Sequence, residues 1–298
     1  MTSSTVPSLR VGFVGLGAMG RPMAARLADV FPTKVYNRTT DVALSHQQQY
    51  GSVAVADLTD LGDVDVVCSC LPTDVEVAAT AQALGPSLAP GTVWVDHTSG
   101  APAGTRDVAA QLAERGVRYL DAPVSGGVDG ADAGRLTVMV GGEAEDLEQV
   151  RAVLEAVAAR IVHVGPIGAG MAVKAVNNAM LAASLWAAGE GLVTLTRAGV
   201  EASTALEVIN GSSGRSFATE VLLPERALTR DFPLTFGLPL LAKDVGLAGS
   251  VTEEAGVDAR VLRLVQELTE AAAEELGPDA DHVELVRLLE RAAGVELT

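Results

Sequence analysis

From residue 9 to residue 27 the chain reads LRVGFVGLGAMGRPMAARL. An apolar run at 9–14 meets Gly15-Leu16-Gly17-Ala18-Met19-Gly20, and a helix-compatible stretch follows at 21–27. Glycines at this spacing carry little weight alone, but between a strand and a helix each has a task. The first allows a tight turn, the second lets backbone approach a pyrophosphate, and the third lets helix and strand pack closely. The helix start adds N–H groups and the positive end of its dipole. Gly15, Leu16, Gly17, Ala18, Met19 and Gly20 therefore read as a cradle for a dinucleotide.

The alternation continues downstream. Short apolar runs at 9–14, 35–36, 64–69, 92–95, 119–120, 136–140 and 161–164 are separated by amphipathic stretches, the pattern of a mostly parallel sheet covered by helices. Runs such as 64–67 are apolar on nearly every residue, as expected where both sheet faces are covered. After Gly165 the pattern changes to long, alanine- and leucine-rich, helix-periodic segments broken by turn signals such as Pro224, Pro233, Pro239 and Gly277-Pro278. The expected architecture is α/β: residues 1–165 form a Rossmann-type, doubly wound parallel sheet, and residues 166–298 form an all-helical domain whose long apolar faces suit pairing with a second copy. The glycine-dense switch Gly165-Pro166-Ile167-Gly168-Ala169-Gly170 leads into a long helix expected at about 168–197.

Composition sets limits. A chain of 298 residues is long enough for two cores, and 48% hydrophobic residues argue against extensive disorder. A formal net charge of −17 repels phosphate backbones, so no nucleic-acid partner is expected and any anionic ligand must be held by specific donors. Residues 1–8 show no basic region followed by an apolar segment, which predicts a cytoplasmic protein. The apolar run 179–189, bracketed by Lys174, Asn177, Asn178 and Glu190, falls short of the roughly 20 residues of a membrane span and reads as a buried helix. Cys68 and Cys70 point the same way from one strand and are read as buried and structural; with four scattered histidines, no metal site is expected.

Two further segments carry chemistry. Asn37-Arg38-Thr39 ends the second strand, where an NAD enzyme places an acid on the ribose 2′-hydroxyl. Here an amide can donate, a guanidinium can pair with a 2′-phosphate and stack on adenine, and a hydroxyl follows, so NADP is expected, with NAD as the alternative. Lys174 and Asn178 lie four apart on one face of the long helix. Met171, Val173, Val176, Met180 and Leu181 imply burial on several sides, and a desolvated lysine has its pKa lowered toward a value that suits acid–base catalysis. Upstream, Asp121-Ala122-Pro123-Val124-Ser125-Gly126-Gly127 offers a hydroxyl and consecutive N–H groups that can hold a carboxylate.

Together GLGAMGRPMA at 15–24, DAPVSGG at 121–127, the GxxGxGxxxKxxxN pattern from Gly165 to Asn178, and Lys243-Asp244 resemble the β-hydroxyacid dehydrogenases, the group around 3-hydroxyisobutyrate dehydrogenase. The resemblance covers nearly the whole chain. It implies that Lys174 is catalytic, that Ser125, Gly126, Gly127 and Asn178 contact a small carboxylate-bearing substrate, and that Leu71, Pro72, Ser99, Phe236 and Lys243 line the cofactor. It also implies hydride transfer to or from a 3-hydroxy acid or semialdehyde, and a homodimer or homotetramer. An imine reductase on the same scaffold is disfavoured by Lys174, and a non-catalytic dinucleotide-binding module by the joint presence of Lys174, Asn178 and Ser125. The chain departs from the family pattern at Arg135, at Glu76, and at Thr98-Ser99, where the two hydroxyl residues are exchanged, leaving open which meets the nicotinamide ribose.

Overall fold

The computed structural model describes residues 9–298; the reading of residues 1–8 lies outside them. The chain divides into two compact units between Lys174 and Ala175.

The first unit runs β1 (Val11–Val14), α1 (Gly20–Ala28), β2 (Thr33–Tyr36), α2 (Thr40–Tyr50), β3 (Val53–Ala54), β4 (Val66–Ser69), α3 (Asp74–Leu84), β5 (Val93–Asp96), α4 (Pro102–Ala113), β6 (Arg118–Asp121), β7 (Val124–Ser125), α5 (Gly127–Asp132), β8 (Leu136–Gly141), α6 (Ala144–Glu155), β9 (Ala158–Gly165) and the start of α7 (Ala169–Arg197). The strands form one sheet in the order β3-β2-β1-β4-β5-β6-β8-β7, with β9 on β8. Pairing is parallel from β3 to β6, the doubly wound order. Successive side chains serve opposite faces. Val11, Phe13, Val66, Cys68, Val93 and Val95 enter one core; Val14, Val67 and Trp94 enter the other. That is why these strands are apolar on adjacent residues. Burial in the first core pushes the Cys68 thiol up to about 12.

The sheet departs from the parallel expectation at its far end. β8 runs antiparallel to both β6 and β7: β7 continues the direction of β6, and the connection 126–135 from β7 to β8 is shorter than the dozen residues a parallel return needs. β3 and β7, two residues each, carry no periodicity from which sequence could predict them.

The second unit continues along α7 and adds α8 (Ala202–Asn210), a π-helix (Ala218–Ala227), α9 (Leu238–Glu254), α10 (Arg260–Leu276) and α11 (Val286–Ala293). Ala175, Ala179, Ala182, Leu185 and Trp186 of α7 form its core with Leu222, Leu241, Val245 and Val283, and Trp186 Nε1 donates to Thr269 Oγ1 at 3.1 Å. One sequence reading is corrected here: the apolar stretch is not confined to 179–189, and α7 is long and apolar enough to cross a membrane by length and composition. Its alanine and leucine face is instead spent on this core.

The sequence placed the boundary at 165/166, whereas the compact units part within α7. The first turn of that helix is bonded to the sheet: Gly168 N–H and Met171 N–H donate to the Asp121 carboxylate at 2.8 and 2.9 Å.

Candidate active site

The registers bring the strand ends into line. Val14 pairs with Tyr36 and with Ser69, Ser69 with Asp96, and Asp96 with Asp121. Each is the last residue of its strand. Every candidate residue of the first unit up to Gly127 therefore lies on the carboxyl edge of the sheet, at the crevice where doubly wound folds bind ligands. Backbone bonds extend the alignment: Gly15 N–H donates to Tyr36 O, Cys70 N–H to Val14 O, His97 N–H to Ser69 O and Ala122 N–H to Asp96 O.

At the glycine turn the three glycines have distinct surroundings. Gly15 has φ +95°, and a Cβ there would meet the Cys70 carbonyl oxygen at 2.3 Å. A Cβ at Gly20 would lie 2.0 Å from the Gly15 carbonyl oxygen, so the start of α1 rests directly on the turn. At Gly17 a Cβ would meet nothing within 4 Å. The open middle glycine, beside exposed Ala18 and half-buried Met19, is the cradle a pyrophosphate requires, and the residues present fit that group. Leu16 turns its side chain into the core. Its N–H donates to Asn37 Oδ1 at 3.1 Å, while Asn37 Nδ2 donates to Thr39 O at 3.1 Å. Asn37 thus straps the glycine turn to the next loop, a role its sequence position did not disclose. Arg38 and Thr39 are exposed. Glu76 accepts a hydrogen bond from the Thr73 hydroxyl, which with the nearby Arg38 charge holds its carboxyl below the ordinary range against the effect of burial.

The next two loops are tied together. Leu71 N–H donates to Thr98 Oγ1 at 3.0 Å, and Ala101 N–H to Asp74 Oδ2 at 3.2 Å. Thr98 is 2% exposed, so its hydroxyl is spent on the Leu71 backbone; Ser99, half-buried, is the hydroxyl nearer the surface, with Pro72 exposed across the loop. Beneath them lies a network that sequence reasoning missed. Asp96 Oδ1 accepts from Ser69 Oγ at 2.7 Å and Thr98 N–H at 3.1 Å, and Asp96 Oδ2 accepts from Tyr119 OH at 2.7 Å. Burial pushes the Asp96 carboxyl up, opposed by these bonds. His97, bonded through Nδ1 to Ala122 O at 2.7 Å, is pulled down to about 4 by burial.

Ser125 is half-buried at the end of β7, and Gly126 and Gly127 are exposed at the start of α5. Three contacts join this segment to the lysine-bearing helix: Asp121 takes the first-turn N–H groups, Met139 N–H donates to Pro123 O at 3.0 Å, and Gly170 packs on the Met139 carbonyl. Lys174 follows Met171 within one turn and is half-buried. The expected burial around it is corrected in part. Met171 is buried, but Val173 and Met180 are 42% and 62% exposed, because seven-residue spacing puts both on the face turned from the core.

In the second unit Asn178 is buried and donates from Nδ2 to Asp244 Oδ2 at 2.6 Å, while its Oδ1 accepts from Asn177 at 3.2 Å. Lys243 Nζ lies 3.2 Å from Asp244 Oδ1. Phe236 is half-buried on a segment clamped by Asp281, whose Oδ2 accepts from Thr235 N–H at 2.9 Å and Phe236 N–H at 3.0 Å. Burial works against ionisation of Asp281, yet the bonds from His282 and from these backbone groups hold its carboxyl well below the usual range. Asp244 and Asp281 were also missed, although Asp244 stands next to Lys243 in a motif already singled out.

A profile of the NAD binding domain of 6-phosphogluconate dehydrogenase matches residues 10–165, more than half of the chain. A second, described as NAD-binding of NADP-dependent 3-hydroxyisobutyrate dehydrogenase, matches residues 168–289. The chain belongs to the β-hydroxyacid dehydrogenase family. Among β-hydroxyacid dehydrogenases, 2-(hydroxymethyl)glutarate dehydrogenase of Eubacterium barkeri is 36% identical over 88% of this chain and 89% of its own. The NAD-dependent L-serine dehydrogenase of Pseudomonas aeruginosa is 37% identical over 80% of this chain and 84% of its own. A solved structure of Mycobacterium tuberculosis 3-hydroxyisobutyrate dehydrogenase with L-serine superposes with a TM-score of 0.89 at 30% identity, covering 94% of this chain and 99% of that one. This β-hydroxyacid dehydrogenase therefore binds a nicotinamide dinucleotide on its Rossmann-type sheet.

Proposed function

We propose that the chain interconverts a small 3-hydroxy acid and its semialdehyde, with Lys174 as general acid and base. The substrates named for the relatives, 2-(hydroxymethyl)glutarate, L-serine and 3-hydroxyisobutyrate, share a hydroxymethyl group on the carbon that bears a carboxylate. They differ in the third substituent of that carbon. The shared part defines the substrate class, and the particular acid is decided by side chains facing that substituent.

The observation that carries the reading is the junction at Asp121, which bonds the segment leading to Ser125 to the helical turn leading to Lys174. The Ser125 hydroxyl and the N–H groups of Gly126 and Gly127 hold the carboxylate without charge; nothing lies within 4 Å of a Cβ placed on Gly127, which leaves room. Asn178, its amide oriented by Asp244, orients either Lys174, one helical turn before it, or the substrate oxygen. In oxidation the Lys174 amine takes the hydroxyl proton as the carbon gives up its hydride. In reduction the ammonium returns a proton to the carbonyl oxygen. When bound, the nicotinamide dinucleotide accepts or supplies the hydride.

Lys174→Ala should lower kcat by roughly 10²–10⁴-fold while leaving dinucleotide binding intact. Full turnover by that variant would end the assignment. We further propose that NADP is preferred over NAD, supported by the absence of an acid at Asn37-Arg38-Thr39 and by the exposed Arg38 guanidinium. The exposed Val173 and Met180 on α7 favour a second copy of the chain as their cover, a dimer or tetramer to be read by sedimentation. With a formal charge of −17, the protein is read as acting on free small molecules rather than on nucleic acid.

A further inference from the structure

The proposed reaction uses Ser125, Gly126 and Gly127 of the segment 121–127 and leaves Asp121 without a task. Yet Asp121 is wholly buried, with both carboxylate oxygens engaged: Oδ1 accepts from Gly168 N–H at 2.8 Å and Oδ2 from Met171 N–H at 2.9 Å. Two glycines give it a close seat. A Cβ on Gly141 would lie 2.4 Å from Asp121 Oδ1, and one on Gly170 would lie 2.4 Å from the Met139 carbonyl oxygen and 2.8 Å from Asp121 Oδ2. Backbone and carboxylate atoms thus meet directly where the start of α7 lies against β6 and β8. Burial pushes the Asp121 carboxyl up, while the N–H groups of Gly168, Met171 and Gly170 pull the other way.

We propose that Asp121 is a positioning residue for Lys174: its carboxylate sets the axial and rotational register of the first turn of α7, and hence where the lysine ammonium stands relative to the Ser125 loop. This rests on the reading of Lys174 as the acid–base group. Met171 and Lys174 are three residues apart on one continuous helix, a rise of about 4.5 Å, so any slide or rotation at the Met171 N–H passes to the lysine undiminished. A carboxylate suits this place because it accepts at both oxygens. An amide of the same shape accepts at one only and turns its NH₂ against an N–H that needs an acceptor.

The test is Asp121→Asn beside Lys174→Ala, in the full chain with its dinucleotide and a 3-hydroxy acid that the wild type turns over. Asp121→Asn should lower kcat by about 10- to 100-fold, with KM and the dinucleotide dissociation constant within about twofold. It should also raise the solvent deuterium isotope effect on kcat, because a misplaced lysine makes proton transfer limiting, and speed amide exchange across residues 166–175. Thr269→Val, which removes the buried partner of Trp186, controls for lost stability and should keep wild-type kcat and isotope effect. Should Asp121→Asn fail to fold, Gly170→Ala reads the same quantities, since its methyl would push the same turn away from both the Met139 carbonyl and Asp121 Oδ2 while the carboxylate itself is retained. An inactive Lys174→Ala beside an Asp121→Asn with wild-type kcat and isotope effect overturns the positioning role and leaves Asp121 a stabilising cap. Turnover by Lys174→Ala overturns the functional reading and this inference with it.

Discussion

Asn178 Nδ2 and Asp244 Oδ2 are 2.6 Å apart, a charge-assisted bond between two buried side chains. The other oxygen of Asp244 lies at ion-pair distance from Lys243 without an aligned hydrogen bond. One carboxylate therefore orients an amide assigned to substrate and approaches an ammonium assigned to cofactor. Asp244→Ala leaves the Asn178 amide without its acceptor, at a cost of about 1–3 kcal/mol. Thermal unfolding should register that loss, and kcat/KM should fall with it. Unchanged values for both would show that the bond has no consequence.

The glycine turn offers a pair of opposed outcomes. Gly17→Ala should keep the wild-type melting temperature, since its Cβ meets nothing within 4 Å, yet weaken the dinucleotide, because the methyl stands where the pyrophosphate approaches. Gly20→Ala should unfold early, since its Cβ would lie 2.0 Å from the Gly15 carbonyl oxygen. Calorimetry and fluorescence titration of the two variants separate a binding glycine from a packing glycine.

Arg38 carries the NADP preference in this reading. Its replacement by Ala should weaken NADPH by about 10-fold or more, as expected for loss of a charged hydrogen bond to phosphate, and leave NADH nearly unchanged. Equal losses for the two dinucleotides would mean that Arg38 serves the adenine face instead.

Acidification should weaken the fold between pH 6.5 and about 4 through His97. Its pKa falls from 6.5 unfolded to about 4 folded, so in that window the unfolded chain binds a proton that the native state refuses. Stability is full above 6.5 and declines by about 3 kcal/mol toward pH 4. Asp96, raised by burial, acts in the opposite sense just above the ordinary carboxylate range, and Asp281, held low, loses its contribution only in stronger acid. His97→Asn keeps a donor for the Ala122 carbonyl and removes the titration. Its melting temperature should therefore change less than that of the wild type between pH 6.5 and 4.

Much of the site could be read from sequence because it follows strand ends. Gly15, Asn37, Leu71, Ser99 and Ser125 each come shortly after an apolar run, and runs are what periodicity detects. The carboxylates that hold these segments were not legible. Asp96, Asp121, Asp244 and Asp281 accept bonds from residues 27, 50, 66 and 46 positions away respectively, and sequence spacing shows none of these partners, although Asp281 also opens a capping box with Glu284. The reversal of β8 was hidden for a related reason: strand direction follows from the short connection 126–135, not from the strand itself. For Asn37, sequence position shows what an amide can donate and not that its oxygen accepts from the Leu16 N–H.

The placement of Gly168 and Met171 N–H on Asp121 bears on where the chain can be cut. A fragment ending at residue 165, where composition changes, would strip a buried carboxylate of its two helix donors and open a water-filled notch between β6 and β8. Autonomous folding of the nucleotide-binding half thus demands several residues borrowed from a helix that composition assigns to the other half, and any gene fusion or swap among relatives should place its joint beyond Met171.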